Sequence, residues 1–223
     1  MSLGPASCRG CTFSGHPHNE DCPEASGNKY QSVNGTRPTK YYSLDELLKQ
    51  EKTFSKDPLI KHAAEFQKLL ADYKELFEAA PGSSKNHQAW KGGYLAHVVE
   101  TMNIALWLYW TSPRTLEFTP GEVLEVMFLH DLEKPWKHSE KLAFLAPVLT
   151  SKEDRKQFRS DLILEYGIQL TPAQENALRY VEGVSDSEYS PGERTMGELA
   201  AFCHCCDILS ARLWHDKGQE RAW

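Results

Sequence analysis

The 223-residue chain has no long apolar run. Its longest, Ile104 to Trp110, is too short to cross a bilayer. Met1 to Gly10 also lacks the apolar stretch of a secretory signal. Together these absences predict a cytoplasmic protein with no membrane partner. An excess of positive charge is missing too. Lys and Arg number 25 against 31 Asp and Glu, a formal net charge of -6, so no large basic surface advertises a nucleic acid or an anionic lipid. A local basic pocket remains compatible with that balance. Cysteine is absent between Cys22 and Cys203, and the six present form two clusters, Cys8/Cys11/Cys22 and Cys203/Cys205/Cys206. In a reducing compartment such clusters point to metal ligands or buried thiols rather than a disulfide framework. No segment alternates apolar and polar residues for long, and no internal repeat is visible. With 40% hydrophobic and 25% charged residues, the chain can build a core without disulfides or oligomerisation.

What is there divides near residue 42. Residues 1–42 are rich in Gly, Ser, Pro, Asn and Thr and read as an irregular extension; residues 43–223 read as helices. Ser43 with Glu46 makes a capping box before Leu44, Leu47 and Leu48. Asp57-Pro58 predicts a helix start, with an apolar stripe of Leu59, Ala63, Phe66, Leu69, Leu70, Tyr73 and Phe77 running to about Ala80. A loop leads to a strongly apolar helix over about 94–111. Thr119-Pro120 with Glu122 opens the next, which runs to His130-Asp131, with Pro135 as a stop soon afterwards. Ser151 with Asp154 opens a helix ending at Gly167, and Thr171-Pro172 with Gln174 opens one ending near Gly183. The last runs from about Thr195 to Lys217. The expected fold is an all-α helical bundle.

Four residues interrupt apolar helices with polar chemistry. They are His97, the adjacent pair His130 and Asp131, and Asp207. Burying such groups without partners costs several kcal/mol. Each alone has an ordinary explanation, as a hydrogen-bonded core histidine or an ion-paired aspartate. As a set, two imidazoles and two carboxylates suit one borderline divalent ion with positions left for water.

The surroundings of these residues resemble the HD-domain family. Gly92-Gly93-Tyr94-Leu95-Ala96-His97 is similar to its glycine-led first-histidine helix. Phe128-Leu129-His130-Asp131-Leu132-Glu133-Lys134-Pro135 is similar to its metal-binding turn, with Glu133 where glycine is common. His204 to Arg212 is similar to its last helix. The resemblance covers about residues 86–215. It implies an HD-type helical bundle, hydrolysis of phosphate esters or anhydrides, and His97, His130, Asp131 and Asp207 as ligands of one divalent metal (Mn, Co, Ni, Fe, Mg or Zn). Such an ion acidifies water and withdraws charge from a phosphoryl oxygen.

Around that set, Lys134 is a candidate phosphate contact, with a solvated lysine as the alternative. Glu133 and His138 are candidate general acids or bases. His87, Lys91 and Arg212 are candidates for the substrate-binding pocket. Some HD proteins hold two metals, and a subset are di-iron oxygenases, but these need further histidines. Between Asp131 and Asp207 this chain has only His138 and His204, and the segment Arg179 to Gly183, whose Glu182 reads more simply as an exposed helix-end residue than as a ligand, stands where two-metal members usually have histidine. One metal, and hydrolysis, are therefore expected.

Near the start, Cys8, Cys11, His16 and Cys22 have spacing suited to tetrahedral zinc and resemble a zinc knuckle with one extra residue before the last cysteine. A structural zinc and a tail with free thiols both remain open, as does His18 as the alternative ligand. The cluster Cys203 to Cys206 cannot converge on one ion, because neighbours on a helix diverge by about 100°. The expected substrate is a small phosphorylated molecule, a nucleotide first of all. A single-strand nuclease and a non-catalytic nucleotide-binding module are the alternatives. Whether the chain forms a homodimer is open.

Overall fold

Four of the predicted caps, Ser43, Thr119, Ser151 and Thr171, open helices of the computed structural model. It describes residues 32–33, 37–38, 42–52, 58–84, 87–139, 148–185, 188–192 and 194–214. Ser43 closes a full capping box with Glu46 ahead of α1 (Leu44–Leu48). Next come α2 (Ala63–Asp72), α3 (Lys74–Ala79) and the long α4 (Gly93–Thr111). Thr119 and Glu122 form the box that opens α5 (Pro120–Leu129), which is followed by the short α6 (Lys134–Lys137). Ser151 caps α7 (Lys152–Glu165), and Thr171 with Gln174 boxes α8 (Pro172–Tyr180). Finally α9 (Glu198–Leu209) passes into a π-helical turn, Ser210–Trp214. Ahead of the helices, Ser32–Val33 (β1) pairs antiparallel with Arg37–Pro38 (β2). The described chain is otherwise helical in its regular elements, and the fold is all-α. No helix among the described residues is long and apolar enough to cross a membrane.

α4 is the central element, apolar nearly all round and buried along most of its length, as such a helix must be. α5 and α9 pack on it, and α8 packs on α9. Phe66 of α2 stacks on Phe128 of α5 with ring centroids 4.1 Å apart, a pairing worth about 1 kcal/mol beyond its burial.

Helix boundaries differ from the sequence expectation at α2, at Pro135 and at the start of the last helix. α2 starts at Ala63 rather than after Asp57, which lies outside the described residues. Tertiary bonds claim the preceding turn: Leu59 N–H donates to Gln50 O (2.7 Å), and His62 N–H to Glu125 Oε1 (2.9 Å). Glu125 also accepts from His62 Nδ1 (3.1 Å) and Gln174 Nε2 (2.6 Å), so this buried carboxylate ties the start of α2 to α5 and α8. The helix then breaks at Tyr73, whose ring packs edge-on against Trp136. The second correction concerns Pro135. It does not stop α5, which already ends at Leu129, but sits in the first turn of α6, where its missing N–H is no loss. The last helix begins at Glu198, and its expected end, Lys217, lies outside the described residues.

Candidate metal centre

Each of the four polar interruptions sits where backbone geometry aims it inward. Gly92 takes a left-handed φ of 79°, and a Cβ on Gly93 would meet the Gln88 carbonyl oxygen at 1.8 Å. Only a Gly-Gly pair lets α4 start this close to the preceding loop. His97 then lies fully buried one turn into the helix. His130 and Asp131 occupy the turn between α5 and α6, and Asp207 projects from the last turn of α9.

The structure brings these four side chains together. Their ligand atoms all lie within 4.8 Å of one another. His97 Nε2 is 3.2 Å from His130 Nε2, 3.4 Å from Asp131 Oδ2 and 3.1 Å from Asp207 Oδ1. His130 Nε2 is 3.3 Å from Asp131 Oδ2 and 3.6 Å from Asp207 Oδ1.

The partners on the far side of each ring assign the tautomers. His130 Nδ1–H donates to the Met127 carbonyl (2.7 Å). Ser210 donates its one hydroxyl proton to Glu100 Oε2 (2.9 Å), so the 3.0 Å contact between Ser210 Oγ and His97 Nδ1 requires the histidine to donate. Gln88 Nε2 donates to both Glu100 Oε2 (2.8 Å) and Ser210 Oγ (3.2 Å) and completes this buried chain. In their neutral form both rings therefore present an Nε2 lone pair. They face each other and two carboxylate oxygens across 3.1–3.6 Å.

Such a set of converging groups could hold a metal ion between them. Donors about 2.1 Å from a single ion stand roughly 3.0 Å apart at octahedral angles and 3.4 Å at tetrahedral ones, so the spacing fits a first-row divalent metal. The titration behaviour follows from the same convergence. Burial opposes a charged His130, but the charge and hydrogen bond of Asp131, then Asp207, push its pKa up to about 10. Burial likewise opposes ionised Asp131 and Asp207, yet Lys134 and the histidines hold Asp131, and the two histidines Asp207, well below the usual carboxylate range.

Lys134 Nζ ion-pairs with Asp131 Oδ2, the oxygen that also faces both histidines. Its side chain is only 18% exposed, so it is not a solvated surface lysine. Burial works against its charge, and the pair with Asp131 outweighs it and raises the pKa. Glu133 is buried as well, 3.5 Å from Arg159 NH1 and 3.8 Å from Arg155 Nε. Burial and Asp131 raise its pKa against the pull of Arg159. Glu133 and exposed Glu182 group with Asp131 in a second carboxylate set, where the two guanidiniums already balance Glu133.

His87 reaches the centre. Its ring lies edge-on to His97 with centroids 5.0 Å apart, and its Nδ1 donates to Gln88 Oε1 (2.9 Å). Burial, then His97 and Lys134, lower its pKa to about 4, so it is neutral with Nε2 left as an acceptor. Half-buried His138 caps α6, its pKa lowered by burial and by Lys137 and Lys134. Lys91 and Arg212 are exposed and make no contact with the cluster among the described residues. His204 Nδ1 donates to the Val181 carbonyl (2.6 Å) at the end of α8 rather than to Asp207. Cys203 and Cys206 are buried and Cys205 is exposed, as free thiols. Cys8, Cys11, His16 and Cys22 lie outside the described residues, so the zinc expectation is untouched.

Besides Glu100 and Ser210, three more contributors escaped the sequence reading. Gln88 adopts a left-handed φ of 45°, uncommon for a residue with a Cβ and concentrated at functional sites. Arg159 is buried beneath the His-Asp turn, where NH1 donates to the His130 carbonyl and NH2 to that of Leu178 (3.1 Å). One signal was available, since Arg159 falls on the buried stripe of α7 with Leu162 and Ile163. The third is Tyr94, one turn before His97. Its hydroxyl is the one buried side-chain polar atom without a hydrogen-bond partner among the described residues. Burial, then the charges of Asp131 and Glu133, raise its pKa, so it faces the acidic side of the centre. A buried orphan donor calls for a ligand or an ordered water. Tyr94→Phe is expected to stabilise the metal-free protein by about 1 kcal/mol, because it removes an unsatisfied group. The same variant is expected to gain less thermal stability than wild type when divalent metal is added. Melting curves with and without metal test this. An undiminished metal-induced rise in the variant would show that the hydroxyl serves nothing bound there.

Set against protein-family models, curated proteins and solved structures, the chain matches none, and the centre is read from its own geometry.

Proposed function

We propose that the chain is a metal-dependent phosphohydrolase of HD type that acts on a small phosphorylated molecule, a nucleotide first of all. The observation that carries this reading is the convergence of His97, His130, Asp131 and Asp207, with a charged lysine already seated on one of the carboxylates. His97 and His130 would hold the metal through Nε2, and Asp131 and Asp207 through carboxylate oxygens. A divalent cation in that set supplies Lewis acidity, which acidifies water and draws charge from a phosphoryl oxygen.

The remaining roles belong to the chain's own side chains. Ser210, Glu100 and Gln88 hold His97 in the tautomer that presents Nε2, and Met127 does the same for His130. Lys134 keeps an ammonium beside Asp131 and meets a phosphoryl oxygen with the protons that Asp131 does not use. Neutral His87 is placed to accept a hydrogen bond from a water or hydroxyl at the centre. Glu133, buried beside Asp131, and His138 are the candidates to deliver a proton to a leaving oxygen. The acidic balance of the chain favours a compact phosphate over a polymer.

The test is phosphate release from nucleoside mono-, di- and triphosphates in the presence of Mn²⁺, Mg²⁺, Co²⁺ or Ni²⁺. Turnover of at least one nucleotide is expected. Metal-loaded protein that is inert towards nucleotides, dinucleotides and single-stranded oligonucleotides would replace this reading with a non-catalytic binding module. Activity on the oligonucleotides alone would make it a nuclease.

A further inference from the structure

Four cations follow one face of α7 at helical spacing: Lys152, Arg155, Lys156 and Arg159. The face runs outward from the metal centre. Arg159, at its deep end, holds the His130 carbonyl and stands 3.5 Å from Glu133. One turn out, Arg155 Nε lies 3.8 Å from the other oxygen of Glu133, and its NH1 donates to the Thr150 carbonyl (2.8 Å). Farther out, Lys156 Nζ is 3.8 Å from Glu188 Oε1, and Lys152 Nζ is 3.5 Å from the Gly183 carbonyl. Arg179 of α8 reaches the same Glu188 oxygen from the other side at 3.3 Å.

This is not how the chain treats its ordinary surface cations. Lys49, Lys68, Lys74 and Arg194 pair with carboxylates one turn away, and their side chains are 64%, 67%, 72% and 71% exposed. Arg155 and Lys156 are only 21% and 23% exposed, while Arg179, at 59%, stands at the open rim. The contacts of Arg155 and Lys156 to carboxylates, at 3.8 Å as in the exposed Lys74–Glu78 pair, are too long for good hydrogen bonds, so donors remain unused among the described residues. Crowding also has a visible cost. Burial, then repulsion from Lys152, lowers the pKa of Lys156, with Arg179 adding to it and Glu188 opposing. Cations gathered in a half-enclosed place with spare donors are matched by a multiply charged anion whose oxygens accept from several of them at once.

We propose that Lys152, Arg155 and Lys156 of α7, with Arg179 of α8, form a second anion subsite beside the metal centre, which takes the further phosphates of a polyphosphorylated substrate. The assignment of those phosphates to a substrate rests on the hydrolytic reading above; the subsite itself does not. Glu133 joins the two places, since it groups with Asp131 on one side and faces Arg155 on the other. A phosphoryl group at the four-residue centre would thus have its neighbours directed along α7, and di- and triphosphates would be preferred over monophosphates. Glu188, the partner of Lys156 and Arg179, would be the carboxylate an incoming phosphate displaces.

The test is calorimetric titration of the full chain, in buffer with excess Mg²⁺, using inorganic tripolyphosphate and inorganic phosphate as probes. Wild type should bind tripolyphosphate at least about tenfold more tightly than phosphate, and Lys152→Gln/Lys156→Gln should abolish the difference while the helical circular dichroism is unchanged. If the double variant misfolds, Lys156→Gln alone carries the comparison and should narrow the difference. Equal affinity of wild type for the two probes, or an unaltered preference in the folded variant, would overturn the subsite even if nucleotides are hydrolysed. A preference that depends on the lysines in a protein without turnover would uphold the subsite and remove the hydrolytic reading.

Discussion

His130→Ala is expected to release the divalent metal from the protein and to slow phosphate release by more than three decades. His130 is fully buried, its Nδ1 is committed to Met127, and its Nε2 is within 3.6 Å of each of the other three candidate ligands. Without the imidazole, Asp131 and Asp207 face His97 across a cavity, and one of two nitrogen donors is gone. The ion's stabilisation of phosphoryl charge is worth several kcal/mol, and about 5 kcal/mol corresponds to more than three decades in rate. Metal analysis of the purified variant reads the first effect and single-turnover phosphate release the second. His130→Gln, which keeps most of the volume, should behave the same way and separates ligand loss from a cavity. Full metal occupancy in His130→Ala and in Asp131→Ala would remove these residues as ligands.

The second large effect is expected at Lys134. Its ammonium lies on Asp131 inside the centre, mostly enclosed, and an interaction there is worth far more than at a surface. Losing one charge-assisted contact to a phosphoryl group should cost about 2–4 kcal/mol, or roughly two to three decades in rate. Lys134→Ala should keep its metal, since Asp131 Oδ2 is then left to the ion alone, and turn over its best nucleotide far more slowly. Arginine in its place should restore little, because a planar fork does not fit a point contact one turn from its partner. Wild-type rates in Lys134→Ala would leave hydrolysis standing and move phosphate contact to His87 or the α7 face.

Much of the bundle was legible because its signals are short-range. A capping box is made between residues three apart, so Ser43/Glu46, Thr119/Glu122 and Thr171/Gln174 could be read without knowing what packs on what. The start of α2 could not. Its position depends on Glu125, more than sixty residues away, which takes the His62 N–H. For the same reason a rule that treats Pro135 as a stop missed that the turn after His130 leads straight into another helix.

The centre divides along the same line. Polar residues inside apolar helices announce burial from sequence alone, and that pattern picked out His97, His130, Asp131 and Asp207 as groups in need of partners. By itself the sequence determined where the helices are capped, which faces are apolar, and which ionisable groups those faces carry inward. That the four groups share one point was decided by the packing of α5 and α9 on α4. So were the supports behind them: Ser210 meets His97 from 113 residues away, Gln88 meets Ser210 from 122, and Arg159 holds the His130 carbonyl from 29. Hydrophobic periodicity says that a face is buried but carries no information about which other face it meets, and hydrogen bonds of that span exist only once the faces have met.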